Sequence, residues 1–231
     1  MRDIDERLAA WKQSQCTELP VAGMYSRNPT AHKWKAPFRS WCLRECVSWR
    51  AQDLLTQSLL LHDAGQQLGA RILLRSALET IAVLIYLNQM TRRVLENQLN
   101  FHEFSEKTSV LLLGSRDETT SHKSMSIVSI LERCDRRYPG ILDLYARLSE
   151  SAHPNYEGTS VGYSDIDTEE HVVSFKNKWS AMYGDRHIGS LQGCYELFFA
   201  EYNTEWSDAM EALEAWIEQN DAILEATKRG A

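Results

Sequence analysis

Arg147, Ser149, His153 and Asn155 fall within the nine residues RLSESAHPN. A helix must stop here, because Pro154 carries no amide proton and keeps the residue before it out of the helical region. A guanidinium presents a planar fork of donors that fits phosphate oxygens, and an imidazole transfers protons near neutral pH. Together they are the groups that phosphoryl chemistry needs: one to move a proton, one to stabilise developing negative charge. The same residues also suit a plain helix end, with the His153 ring bonding the last carbonyls. On a helical wheel Tyr145, Ser149 and His153 climb one flank at i, i+4 and i+8, and Arg147 lies about 120° round from His153. The two charged groups therefore meet only if Pro154 redirects His153 or a second copy of the chain completes the site.

A second polar feature runs along residues 67–90, QLGARILLRSALETIAVLIYLNQM, the most apolar stretch of the chain. Leu73, Leu74, Ala77, Leu78, Ile81, Leu84 and Ile85 fill one broad side, Ile72, Val83 and Leu87 the other, and a narrow line carries Arg71, Arg75, Glu79 and Tyr86. A helix apolar nearly all round is buried, so this line faces a groove or a partner. Arg75 and Glu79, four apart, either form a structural ion pair or offer a guanidinium to an anion with the carboxylate orienting it.

The elements that must position these residues read as helical almost throughout. Apolar spacing predicts helices over 3–17, 40–62, 67–90, 91–112, 124–137 and 140–152, with 188–227 helical and broken once. Residues 18–37 hold three of the five prolines and read as an irregular arm, 114–124 as a polar loop. Residues 153–187 form a long connection with alternation at HVVSF that fits a short hairpin. The expected fold is all-α, an antiparallel helical bundle with an irregular or hairpin-containing loop before the last helix. The 231 residues divide into an N-terminal helix and proline-bearing arm (1–39) and a bundle (40–231), one domain overall.

Composition narrows the function classes. The net charge of −7 argues against a surface that coats nucleic acid, although Arg71 with Arg75, Arg92 with Arg93, and Arg133 with Arg136 and Arg137 leave room for a small basic groove. No apolar run approaches the roughly 20 residues that span a bilayer, so no membrane partner is expected. The charged start, MRDIDERLAAWKQ, and the odd, scattered set of five cysteines fit a cytoplasmic protein. Cys42 and Cys46 share a helix face, but no second Cys or His pair has zinc spacing, so no metal and no cofactor are expected and these thiols read as packing residues.

Arg-x5-His at the end of a bundle helix resembles the Arg-x4–6-His motif of the HEPN superfamily, helical bundles of which many are ribonucleases. The pairing of Arg75-Ser-Ala-Leu-Glu-Thr80 and Tyr86-Leu87 with a later segment running from Tyr145 through Leu148, Ser149 and Glu150 to His153, Pro154 and Asn155 is similar to a bacterial HEPN-like group. The resemblance covers about residues 40–160. The short motif occurs three times, as Arg27 to His32, Arg116 to His122 and Arg147 to His153, and only the third ends an amphipathic helix. Leu148 departs from the pattern, in which a polar residue usually follows the arginine, whereas Arg116 is followed by Asp117.

The resemblance implies metal-independent endoribonuclease activity, as in toxins and antiviral effectors. The ribose 2′-OH would attack the adjacent phosphate, with His153 in proton transfer and Arg147 on the phosphorane oxygens. It also implies a homodimer with the site built across the two-fold axis, and an antitoxin or defence-system partner protein. Asn155 and Tyr156 would hold phosphate or stack a base, beside Arg71, Arg75, Glu79, Tyr145 and Ser149. Two other readings stand: a non-catalytic module that binds RNA, a nucleotide or a protein through the Arg75/Glu79 groove, and a structural, dimerising bundle.

Overall fold

The computed structural model describes residues 3–20 and 33–227. They form an all-α bundle with one two-stranded sheet: α1 (Asp3–Gln13), α2 (Lys35–Asp63), α3 (Gln67–Leu95), α4 (Phe101–Leu113), α5 (Ile127–Asp135), α6 (Ile141–Ala152), β1 (Ser164–Asp167), β2 (Val172–Phe175), α7 (Trp179–Phe199), α8 (Trp206–Gln219) and α9 (Asp221–Ala226). Residues Tyr156–Val161 make a wide helical turn, and Ala200–Glu205 a second one that joins α7 to α8 without a break in the helix.

α3 is the axis of the bundle. Most of its apolar residues are buried, with Leu74, Ala77, Ile81, Leu84, Ile85 and Leu87 at zero exposure, but not all round: Ile72 is exposed and Val83 only partly buried. It packs against α2, α4, α5, α6, α7 and α8. The link from α2 to α3 turns at Gly65, whose φ of +72° is a left-handed conformation open to glycine at little cost. α1 is part of the same core: Ile4, Leu8 and Trp11 are buried, Trp11 stacks on Phe198, and its indole donates to Ser48 Oγ at 3.0 Å.

The helix boundaries differ from the sequence expectations in instructive places. α1 stops at Gln13 rather than 17, and α2 begins at Lys35, inside the stretch read as arm. α3 runs through Met90 to Leu95, because Met90 and Val94 continue the buried stripe; left-handed Asn97 ends it. Asn100 then caps α4 by accepting from the backbone amides of His102 and Glu103. α5 covers only 127–135 of the expected 124–137. The hairpin at HVVSF is present, antiparallel with Asp165 opposite Ser174 and Ile166 opposite Val173. α7 starts at Trp179, nine residues earlier than expected, because Trp179 is fully buried and anchors its first turn.

A buried histidine marks the junction of α2, α3 and α7. Ser58 Oγ donates to the Ala70 carbonyl at 2.7 Å, so it must accept from His187 Nε2 at 3.0 Å, which places the imidazole proton on Nε2. The ring stacks on His62, with centroids 5.0 Å apart. Burial, and then the nearby His62 and Arg71, push the His187 pKa down to about 4, against weaker opposing pulls from Ser58 and then Asp63. A depressed histidine pKa gives stability that is fully present above the unfolded-state value, near 6.5, and lost as pH falls towards 4. Acidifying from pH 7 to 4 is expected to remove up to about 3 kcal/mol through this group. Urea unfolding of His187→Gln should show a correspondingly flatter pH profile, and an unchanged profile would refute this assignment.

Candidate functional site

The N-terminal half of α3 and the C-terminal half of α6 are clamped by two arginines one turn apart. Arg75 donates from Nε to Ser149 Oγ at 3.0 Å and from Nη2 to the Tyr145 hydroxyl at 2.8 Å, and pairs with Glu79 at 3.1 Å. Tyr145 and Ser149 thus face α3 together, as their four-residue spacing on one flank requires. Arg71 donates from Nε to Ser151 Oγ at 2.7 Å and from Nη2 to the Arg147 carbonyl at 2.8 Å. Its guanidinium lies over the Tyr183 ring of α7, 3.7 Å from the centroid.

Arg71 is 7% exposed, so it is a buried brace between three helices rather than a ligand contact. Its pKa is lowered by burial, with Tyr183 and Glu157 opposing that shift. The chain of donors continues outward. Ser151 Oγ donates to Glu157 Oε1 at 3.1 Å, and Glu157 lies near Tyr183. Burial, followed by the Glu157 carboxylate, raises the Tyr183 pKa.

α6 is preceded by Gly140, whose φ of +104° the sequence meets with glycine, and Asp135 Oδ1 accepts from the Gly140 and Leu142 amides. It ends at Ala152. His153 is extended (φ −96°, ψ 145°), as Pro154 demands, and its amide still donates to the Ser149 carbonyl at 3.2 Å. The His153 side chain is exposed and its ring has no hydrogen-bond partner among the described residues, so it is not the capping imidazole that one reading required.

Asn155 is spent locally. Its Oδ1 accepts from the Gly158 amide at 2.9 Å and its Nδ2 donates to Glu150, so it shapes the turn rather than standing free for phosphate. A Cβ at Gly158 would lie 1.9 Å from the His153 carbonyl oxygen. Gly158→Ala must therefore displace the turn that holds His153, and is expected to cost about 1–3 kcal/mol in urea unfolding. Tyr156 projects from the same turn at 76% exposure.

Arg147 is exposed on the other flank of α6, lining a cavity of about 570 Å³ with Arg186 and Gly189 of α7. Its side chain has no hydrogen-bond partner among the described residues. Arg147 and His153 therefore do not form a pair bonded to each other within one chain. Leu148, between them, is buried at 1% exposure, which explains the apolar residue after the arginine: the position packs into the core.

Arg75 and Glu79 also line a cavity of about 520 Å³, together with Arg50, Thr80, Arg116 and Val83. Arg50 Nε donates to Thr80 Oγ1 at 3.2 Å. The groove read from the polar line of α3 is thus real for Arg75 and Glu79. Tyr86, eleven residues on from Arg75, belongs to a different cavity at the far end of the helix. The Arg116–His122 segment is a loop closed by the Ser115 amide on the His122 carbonyl at 2.8 Å, and the Arg27–His32 motif lies outside the described residues. Cys46 is exposed and Cys42 partly so, which corrects their reading as packing residues; Cys134 and Cys194 are the buried thiols.

Sequence reasoning missed Ser151, Glu157, Tyr183 and Arg50. Ser151 alone carried a signal, since Arg71 and Arg75 sit four apart on α3 just as Arg147 and Ser151 do on α6. No protein-family model, curated protein or solved structure matches the chain.

Proposed function

We propose that the protein is an endoribonuclease of HEPN type that acts as a homodimer, cleaving RNA with residues 147–153 of two copies. The observation that carries this reading is the division of labour at the end of α6. Tyr145, Ser149, Ser151 and Asn155 are consumed in holding the helix end, while the Arg147 and His153 side chains are exposed with no hydrogen-bond partner among the described residues. Free charged groups on a braced helix end are what a catalytic pair needs before substrate arrives. In the proposed reaction the ribose 2′-oxygen bonds to the adjacent phosphorus and the bond to the 5′-oxygen breaks. The proton leaves the 2′-oxygen and one is delivered to the 5′-oxygen, with His153 serving this transfer. Arg147 donates to the phosphorane oxygens. The product end is a 2′,3′-cyclic phosphate.

Because Arg147 and His153 occupy different flanks, the site is completed by a second copy across a two-fold axis. The exposed hairpin supports such an association: Ile166, Val173 and Phe175 share one face and are 48–80% exposed, an apolar strip beside the catalytic end in sequence. An antitoxin or defence-system partner is the further proposal for how cleavage would be held in check. The test is cleavage of varied RNAs in EDTA by wild type, His153→Ala and Arg147→Ala. Loss of cleavage in both variants supports the reading, and equal cleavage by all three overturns it.

A second reading, a non-catalytic module that binds RNA or a nucleotide, is favoured by the cavity in which Arg50, Arg75 and Arg116 face one carboxylate, Glu79. Binding without cleavage across those RNAs would select it.

A further inference from the structure

At the opposite end of α3, two arginine runs far apart in sequence converge. Arg92 and Arg93 of the last turn of α3, Arg133, Arg136 and Arg137 at the end of α5, and Lys107 of α4 all line a cavity of about 660 Å³. Along one continuous helix, the 21 residues from Arg71 to Arg92 put this cavity about 31 Å from the clamp on α6. A chain with a net charge of −7 has thus gathered six cations around a single opening, with Glu96 the one carboxylate lining it.

The cations fall into two groups. Arg92 and Arg137 are held from behind: both pair with Glu205, Arg137 at 2.7 Å, and Arg137 also with the fully buried Glu201 at 3.2 Å. Lys107 pairs with Glu103 at 2.6 Å. Arg93, Arg133 and Arg136 have no carboxylate partner among the described residues; Arg93 donates to the Gln98 carbonyl at 3.3 Å, and Arg133 lies over the Tyr86 ring, 5.4 Å from its centroid.

Cations in the last turns of α3 and α5 also offset the partial negative charge of those helix ends. That accounts for some of them, but not for Lys107 of α4, which joins from a different helix. Nor does it account for Tyr86. This residue is 2% exposed, lines the same cavity, and its buried hydroxyl has no hydrogen-bond partner among the described residues. A buried hydroxyl without a partner is costly, and a ligand oxygen would relieve it.

We propose that this cavity is a binding site for a phosphate ester of nucleotide size, with Arg93, Arg133 and Arg136 donating to its phosphate oxygens, Tyr86 supplying a further donor, and Glu205 holding Arg92 and Arg137 in place. Its volume is in the range of small-molecule sites. A free nucleotide and a stretch of RNA backbone share this chemistry. Since the site lies at the other end of α3, it does not depend on the reading given to Arg147 and His153.

The test is isothermal titration of the full chain, as His153→Ala so that RNA is not consumed, with ATP, inorganic pyrophosphate and a five-nucleotide RNA. Saturable binding that weakens as salt rises, and falls about tenfold or more in Arg133→Ser/Arg136→Ser, is expected. Both residues are exposed, so the double variant keeps its fold, checked by an unchanged melting temperature. Tyr86→Phe should weaken binding more mildly, and His153→Ala set against wild type should not alter affinity for ATP or pyrophosphate. Preference for ATP and pyrophosphate assigns the site to a free nucleotide, and preference for the oligonucleotide assigns it to RNA backbone. No saturable binding of any probe at millimolar concentration, or equal affinity in the double variant, overturns the proposal.

Discussion

An equal mixture of Arg147→Ala and His153→Ala protomers is expected to regain about a quarter of wild-type RNA cleavage, although each variant alone has lost about 100-fold or more. The arithmetic follows from a site that takes its arginine from one copy and its histidine from the other. Random exchange makes about half of the dimers mixed, and each mixed dimer has one site with both groups intact and one with neither. A site formed within one chain predicts no recovery at all, because neither variant then carries both groups. The recovery should require time or dilution for subunits to exchange, and should vanish if the variants are cross-linked before mixing. Residual activity in the mixture no greater than the mean of the two variants would sink the composite site.

The second large effect is on stability. Arg71→Met is expected to cost about 3 kcal/mol in urea unfolding, because it removes the buried donors that tie the Ser151 hydroxyl and the Arg147 carbonyl to α3 and leaves Tyr183 without its guanidinium. Arg71→Lys should recover little of this, since an ammonium cannot span Ser151 and the Arg147 carbonyl while lying flat on the ring. Arg75→Met, at a half-buried position with its own hydroxyl partners, should cost about 1 kcal/mol. A loss from Arg71→Met no larger than that from Arg75→Met would mean that the brace contributes little. The ordering of the two arginines, more than either value, is the discriminating result.

The roles of these two arginines mark how far the sequence could be read. Periodicity alone put Tyr145 and Ser149 on one flank of α6 and Arg75 and Glu79 on one line of α3, and those four residues do meet. Local chemistry was equally legible at Pro154, which sets His153 extended, and at HVVSF, which forms the second strand. Arg71 looked identical to Arg75 on the wheel, yet it is buried, because Tyr183 arrives from more than a hundred residues away to cover it. No window of local sequence contains that contact. The same limit hid the basic cavity: Arg92 with Arg93, and Arg133 with Arg136 and Arg137, were visible as separate clusters, but their convergence depends on how α5 crosses the end of α3. The end of α3 was misjudged for another reason. The boundary drawn at residue 90 falls inside α3, where Asn88 is fully buried and donates to Glu201 and the buried stripe continues to Val94.

The wide turn at Ala200–Glu205 has a consequence for chain length rather than for composition. The buried face of the long helix advances in steps of three and four through His187, Leu191, Cys194, Phe198 and Glu201, then takes a step of five to Trp206 before resuming at Met210, Leu213 and Ile217. In a regular helix a step of five would turn everything after it by about 100°; here the buried face carries on in phase because of the wide turn. Without it, position 205 would point inward, and the carboxylate that holds Arg92 and Arg137 would be lost from the surface. The wide turn therefore absorbs one surplus residue: deleting one of 203–204 would leave an ordinary step of four from Glu201 to the tryptophan, whereas deleting both would turn α8 out of register with the core it helps to close.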